Sequence, residues 1–184
     1  MEHTNTIHAD LVKQAGKGSG FARAELYRLY GKAMYNTCIR MTANIADAED
    51  ILHDAFIYAF EHMGQLREPA AFGGWLRRIV IGKCIQVSKS YYRLKELDDS
   101  YADTLEETQQ TEWWNNITLE QMHEEIKKLP DGCRQVFVLF VFENFGHKQI
   151  AESLHISEST SKSQYFRAKQ LLRERITRQI PING

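Results

Sequence analysis

Apolar residues recur every three or four positions along most of this chain, and only three prolines interrupt it. That spacing places them on one face of a helix, so the sequence predicts an all-α fold. Leu26, Leu29, Tyr30, Ala33, Met34 and Thr37 mark a helix over about 21–42. Asn44 or Asp47 can cap the next one, whose stripe is Ile51, Ala55, Tyr58, Ala59 and His62, with Ile45 leading in. A loop follows from Gly64 to Ala70. Phe72, Trp75, Leu76, Ile79, Ile81 and Val87 then carry a helix towards Tyr91, with Trp75 assigned to the core. Ile117 to Leu129 forms a further helix, stopped at Leu129-Pro130. The longest apolar run, Val136 to Phe142, is strand-like in propensity. Pro130-Asp131 nevertheless opens a helix well and no partner strand is visible, so this run is predicted helical and buried all round.

The net charge of −1 conceals a strong segregation. Residues 61–95 hold seven basic and two acidic side chains, 96–125 hold ten acidic and no Lys or Arg, and 146–184 hold seven basic and three acidic. Basic blocks suit a polyanion such as nucleic acid. The acidic stretch, poor in aliphatics, has the composition of a tether. Two small helical domains are therefore expected, over 10–95 and 117–180, joined by an acidic linker over 96–116.

Several classes fall away. No apolar run approaches the roughly 20 residues of a membrane span. Met1-Glu2-His3-Thr4-Asn5 shows no signal-peptide pattern, so a cytoplasmic location is expected. Cys38, Cys84 and Cys133 lie too far apart for a thiolate metal site and are expected as buried thiols. Asp50-x-x-His53 and Glu120-x-x-His123 match in outline the carboxylate-x-x-His pairs of helical di-iron enzymes. The first has the shorter Asp arm, and the second lies beside the acidic stretch, away from any continuous four-helix pattern. No phosphate loop, nucleophile elbow or HExxH occurs. No enzyme activity, metal, cofactor or small-molecule substrate is expected.

The C-terminal block carries the sharpest motif. Ile150, Ala151 and Leu154 form one face of a short helix, His155-Ile156 makes a turn, and Ser157 caps a second helix from Glu158 to about Arg178. Ser159, Thr160, Lys162, Ser163 and Arg167 line its first turns. Short hydroxyls and long cations at the start of a helix suit a major groove, and the arrangement is a helix-turn-helix.

With Leu129-Pro130 and the apolar helix before it, this segment resembles domain four of bacterial sigma factors. Asp47-Ala48-Glu49-Asp50-Ile51-Leu52-His53-Asp54-Ala55-Phe56 resembles the family's domain-two helix that grips the polymerase clamp. Phe72-Gly73-Gly74-Trp75-Leu76-Arg77-Arg78-Ile79 resembles its promoter-melting helix, F-x-x-W-L-x-x-I. Three motifs in order, over about residues 20–180 and with only these two domains, point to the extracytoplasmic-function subclass.

The resemblance implies an alternative sigma factor that binds core RNA polymerase and directs promoter-specific initiation. It implies core contacts at Asp50, Ile51, His53 and Asp54. It places the minus-ten element on the loop from Leu66 and Arg67 to Ala70, which captures an unstacked base, and on Arg77, Arg78 and Lys83. The minus-thirty-five element falls to Ser159, Thr160, Lys162, Ser163, Phe166 and Arg167. A membrane-bound anti-sigma factor is a further implied partner. For the acidic linker, a nucleic-acid mimic inside the polymerase and a plain tether both fit. Three positions depart from the pattern. Gly82 stands where many relatives carry a base-reading Asn, so that contact is not carried over. His155 stands where Gly is common, although His tolerates a left-handed backbone better than most residues. Ser161 stands where an apolar residue is common, so looser helix packing is expected there. A helix-turn-helix repressor with an N-terminal sensing domain is the alternative.

Overall fold

The computed structural model describes residues 2–92 and 118–179, which belong to two compact units, Met1–Val87 and Ser88–Gly184. Every regular element among the described residues is helical. The linker expected over 96–116 lies outside the described residues.

In the first unit, α1 spans Glu2–Gly16, α2 Gly20–Thr42, α3 Ile45–Glu61 and α4 Phe72–Tyr92. Side-chain caps open α2 and α3, the second at Asn44 as the sequence allows. Ser19 Oγ accepts the Ala22 amide at 3.3 Å, and Asn44 Oδ1 accepts that of Asp47 at 3.2 Å. Two short 3-10 turns, Met63–Gln65 and Pro69–Ala71, fill the expected loop, with Pro69 at the first position of the second turn.

Three expectations need correction. The first is α1, a helix that the sequence does not announce. Val12 and Ala15 are its buried apolar side chains among those described, and two residues make no legible stripe. The second is the face of α2, which buries Ala22, Leu26, Met34, Thr37, Cys38 and Met41 and leaves Leu29 half in water. The third is α3, which turns Ala48, Ile51, Leu52, Ala55, Phe56 and Ala59 inward, while Ile45 and Tyr58 are exposed.

One close approach ties α1, α2 and α4 together. The Tyr30 hydroxyl lies 2.6 Å from His8 Nε2, and its ring meets Phe72 edge-on at 5.4 Å. A Cβ on Gly73 would sit 2.7 Å from Tyr30 Cε1. The glycine is what lets the start of α4 come this near. Trp75, expected in the core, is half-buried and tilts against Phe72.

In the second unit, α5 spans Leu119–Lys127, α6 Asp131–Val141, α7 His147–Leu154 and α8 Glu158–Gln179. Thr118 and Gln121 form a reciprocal capping box at the start of α5. The strand-like run is a helix. It is buried from Cys133 through Leu139, but Val141 is exposed, so burial all round ends before the run does. Buried Arg134 donates to the backbone carbonyls of Leu129 (2.8 Å) and Lys127 (3.4 Å) and pairs with Asp131. It thereby satisfies carbonyls that the end of α5 would leave orphaned. Ile150, Ala151, Ala168, Leu172 and Ile176 complete the core with α6.

Candidate nucleic-acid interface

The turn between α7 and α8 is built as the sequence predicts. His155 closes α7 in the left-handed region (φ 56°), and its amide donates to Ala151. Ser157 Oγ then accepts the Thr160 amide at 2.9 Å and lies 2.7 Å from the hydroxyls of both Ser159 and Thr160. A Cβ in the left-handed region costs about 1 kcal/mol. His155→Gly should therefore raise the stability of this unit by about 0.5–1 kcal/mol in thermal unfolding. A loss of stability would show that the imidazole makes a compensating contact.

The first turns of α8 present a one-sided surface. Ser159, Lys162, Ser163 and Phe166 follow one another at three- and four-residue spacing, with Thr160 and Arg167 alongside. Ser159 and Lys162 are exposed; Thr160, Ser163, Phe166 and Arg167 are half-buried. Ser161, Ala168, Leu172 and Ile176 form the opposite, buried face. Lys162 Nζ pairs with Glu158 at 2.8 Å, which holds the Glu158 carboxyl below its usual range. Such a surface pair is weak and exchanges readily for a phosphate. The packing at Ser161 is not loose. The residue is fully buried, and its hydroxyl is 2.9 Å from His147 Nδ1.

In the first unit, Asp50, His53 and Asp54 stand exposed on α3. Ile51 does not join them. It is 4 % exposed and packs in the core, so it helps fix the helix and offers no surface. The apolar side chains that do flank the acidic face are Ile57 and Tyr58, one turn beyond His53 and Asp54. Sequence reasoning missed Ile57 and took Tyr58 for core; the i+4 spacing from His53 and Asp54 is the signal that could have found them. Of the basic group, Arg67, Arg77 and Arg78 are exposed, and Leu66 and Lys83 half-buried. Lys83, on α4, sits 3.7 Å from Asp54 and 5.7 Å from the centre of the Tyr58 ring. Tyr58 stacks on His62 with ring centres 3.9 Å apart. The acidic and basic surfaces, separate in the sequence, thus share an edge.

The two carboxylate-x-x-His pairs fall in different units. Among the described residues, no group of three or more His, Cys, Asp or Glu side chains is placed to hold a metal. The three cysteines are buried free thiols. No helix among the described residues is long and apolar enough to cross a membrane.

One unit carries a helix-turn-helix with a hydroxyl-and-cation face, and the other bears adjoining acidic and basic faces; such surfaces suit a transcription factor. Family models agree in order. Residues 26–93 match Sigma-70 region 2, and residues 119–172 match Sigma-70, region 4. The ECF RNA polymerase sigma factor SigW of Bacillus subtilis is 29 % identical over 180 residues, covering 90 % of this chain and 94 % of that one. The RNA polymerase sigma-H factor of Pseudomonas aeruginosa is 24 % identical, with 88 % and 90 % covered. Two solved structures share the fold. CnrH, in complex with the cytosolic domain of CnrY, gives a TM-score of 0.51 at 21 % identity, covering 94 % of this chain and 99 % of that one. RpoE of Bartonella quintana, in complex with the anti-sigma factor NepR, gives 0.52 at 18 %, covering 85 % and 96 %. The chain belongs to the sigma-70 family, in its extracytoplasmic-function branch, and is an alternative sigma factor of transcription initiation. That assignment displaces the repressor alternative.

Proposed function

We propose that the two units divide promoter recognition by the polymerase holoenzyme. The domain-two body, over about residues 10–95, docks on core RNA polymerase through Asp50, His53 and Asp54, with Ile57 and Tyr58 as apolar anchors. Its loop at Leu66 and Arg67 captures an unstacked base of the minus-ten element. Arg77, Arg78 and Lys83 hold phosphates of the melted strand. The domain-four body, over about 117–180, lays Ser159, Thr160, Lys162, Ser163, Phe166 and Arg167 against the minus-thirty-five duplex. The chain acts in the cytoplasm and catalyses nothing itself. It aligns two DNA-reading surfaces on an enzyme that supplies the chemistry, which makes weak individual contacts effective. Solved relatives bound to an anti-sigma factor or to a cytosolic domain of a partner support a membrane-linked anti-sigma partner here.

The observation that carries this reading is the α8 face, whose hydroxyls and cations, exposed at Ser159 and Lys162 and half-buried at Thr160, Ser163 and Arg167, lie opposite a wholly buried stripe. The Lys83–Asp54 pair adds a consequence. When Asp54 turns to the polymerase, Lys83 is released towards the strand, so core docking and minus-ten holding favour each other. Asp54→Ala should weaken binding to purified core polymerase about five- to tenfold, measured by co-elution or anisotropy. Binding to a minus-thirty-five duplex by α8 should be unaffected. Unchanged core affinity would remove Asp54 from the docking surface.

A further inference from the structure

Where α7 crosses α8, the two helices meet through a polar pair. Ser161 is 0 % exposed, and its hydroxyl lies 2.9 Å from Nδ1 of His147, the first residue of α7. The imidazole is held on two further sides. Phe140 of α6 stacks on it with ring centres 4.7 Å apart, and Tyr165 of α8 meets its edge at 5.8 Å. Tyr165 in turn lies against Phe140 at 4.6 Å. One imidazole therefore touches α6 and α8 while starting α7, and its partner Ser161 sits between Thr160 and Lys162 of the reading face.

We propose that His147, hydrogen-bonded to Ser161, is the positioning residue that fixes α8 against α7 and so sets the register of minus-thirty-five readout. The inference rests on the promoter-reading role given to α8 above. An apolar contact tolerates sliding, whereas a hydrogen bond confines both distance and direction. A buried hydroxyl deprived of its partner is also costly, so the pair resists separation.

The surroundings disfavour a cation at this point. The ring is partly buried, it stands at the positive end of α7, and Lys162 approaches from α8. Glu158 of α8 opposes Lys162, and α6 contributes the apolar Phe140. Burial first, and Lys162 second, hold His147 below the usual histidine range. The unfolded chain therefore takes up this proton before the folded one. Stability of the junction is fully present above about pH 6.5 and is lost as pH falls through the lower, folded value.

The test uses holoenzyme assembled with core polymerase and two promoter duplexes, one with its native minus-thirty-five element and one with that element scrambled. The wild-type affinity ratio between them should fall about five- to tenfold from pH 8 to a pH below the His147 midpoint read from its imidazole resonances. Ser161→Ala should show a low ratio at both pH values with core binding intact. The double variant His147→Leu/Ser161→Val, which replaces the polar pair with an apolar one, should lose the pH dependence. Imidazole nitrogen resonances of the full chain, assigned through His147→Gln, should show His147 titrating below the usual histidine range, and higher in Ser161→Ala. An ordinary titration unmoved by Ser161→Ala would overturn the inference whatever the promoter assay gives. A perturbed ring with a pH-independent wild-type ratio would overturn the positioning role. Failure to distinguish the duplexes at any pH, with core binding intact, would overturn the promoter-reading role on which the inference rests.

Discussion

Arg167→Ala should lower promoter-dependent transcription about 10- to 100-fold while leaving association with core polymerase unchanged. Arg167 lies one turn beyond Ser163 and two beyond Thr160, on the same side of α8. The side chain is half-buried, and its guanidinium is near enough to Cys133 of α6 for its charge to oppose the upward push of burial on that thiol. A guanidinium fork can meet a guanine edge or a phosphate bidentately. Lysine retains the charge but not the fork, so Arg167→Lys should give an intermediate loss. The measurements are transcription from a responsive promoter and a direct core-binding assay. Equal loss in both would mean that Arg167 supports the fold or the docking surface instead.

The largest effect on stability should come from Arg134→Ala, about 3 kcal/mol in unfolding of the C-terminal unit. Its guanidinium is buried and bridges the start of α6 to the carbonyls that end α5. Truncation leaves buried acceptors without donors and opens a void in the same stroke. For a unit of this size that corresponds to a fall of more than about 10 °C in its melting transition. A change within about 0.5 kcal/mol would show that water replaces the guanidinium at no loss.

Much of the helical plan was legible because the chain writes it in local terms. Asn44 and Ser157 cap their helices with side chains that are favoured at helix starts over helix interiors. Pro130 opens α6 against a strong β propensity, since a lone strand would have left its backbone unpaired. His155 takes the left-handed turn that its neighbours require. The faces were less legible. Tyr58 has the size of a core residue, yet it stacks on His62 beneath Lys83 at the surface. Ile51, flanked by acids in the sequence, is held inside by its place on the Ala48–Ala55–Ala59 side of α3.

Tertiary pairings were hidden altogether. Asp54 and Lys83 belong to motifs with separate expected duties, and only the packing of α3 and α4 brings them together. Ser161 looked like a missing apolar contact because its partner, His147, stands fourteen residues earlier. Periodicity identifies faces, but it does not say which polar group on one face answers which on another.

As an alternative sigma factor, this chain confers promoter choice on core RNA polymerase. The direct measurement is run-off transcription with purified core polymerase and promoter fragments from the source genome, with and without the chain. Transcripts with discrete starts should appear only when the chain is added and should decline sharply with Arg167→Ala. The same transcripts without the chain, or none at all together with failure to co-elute with core polymerase, would contradict that role.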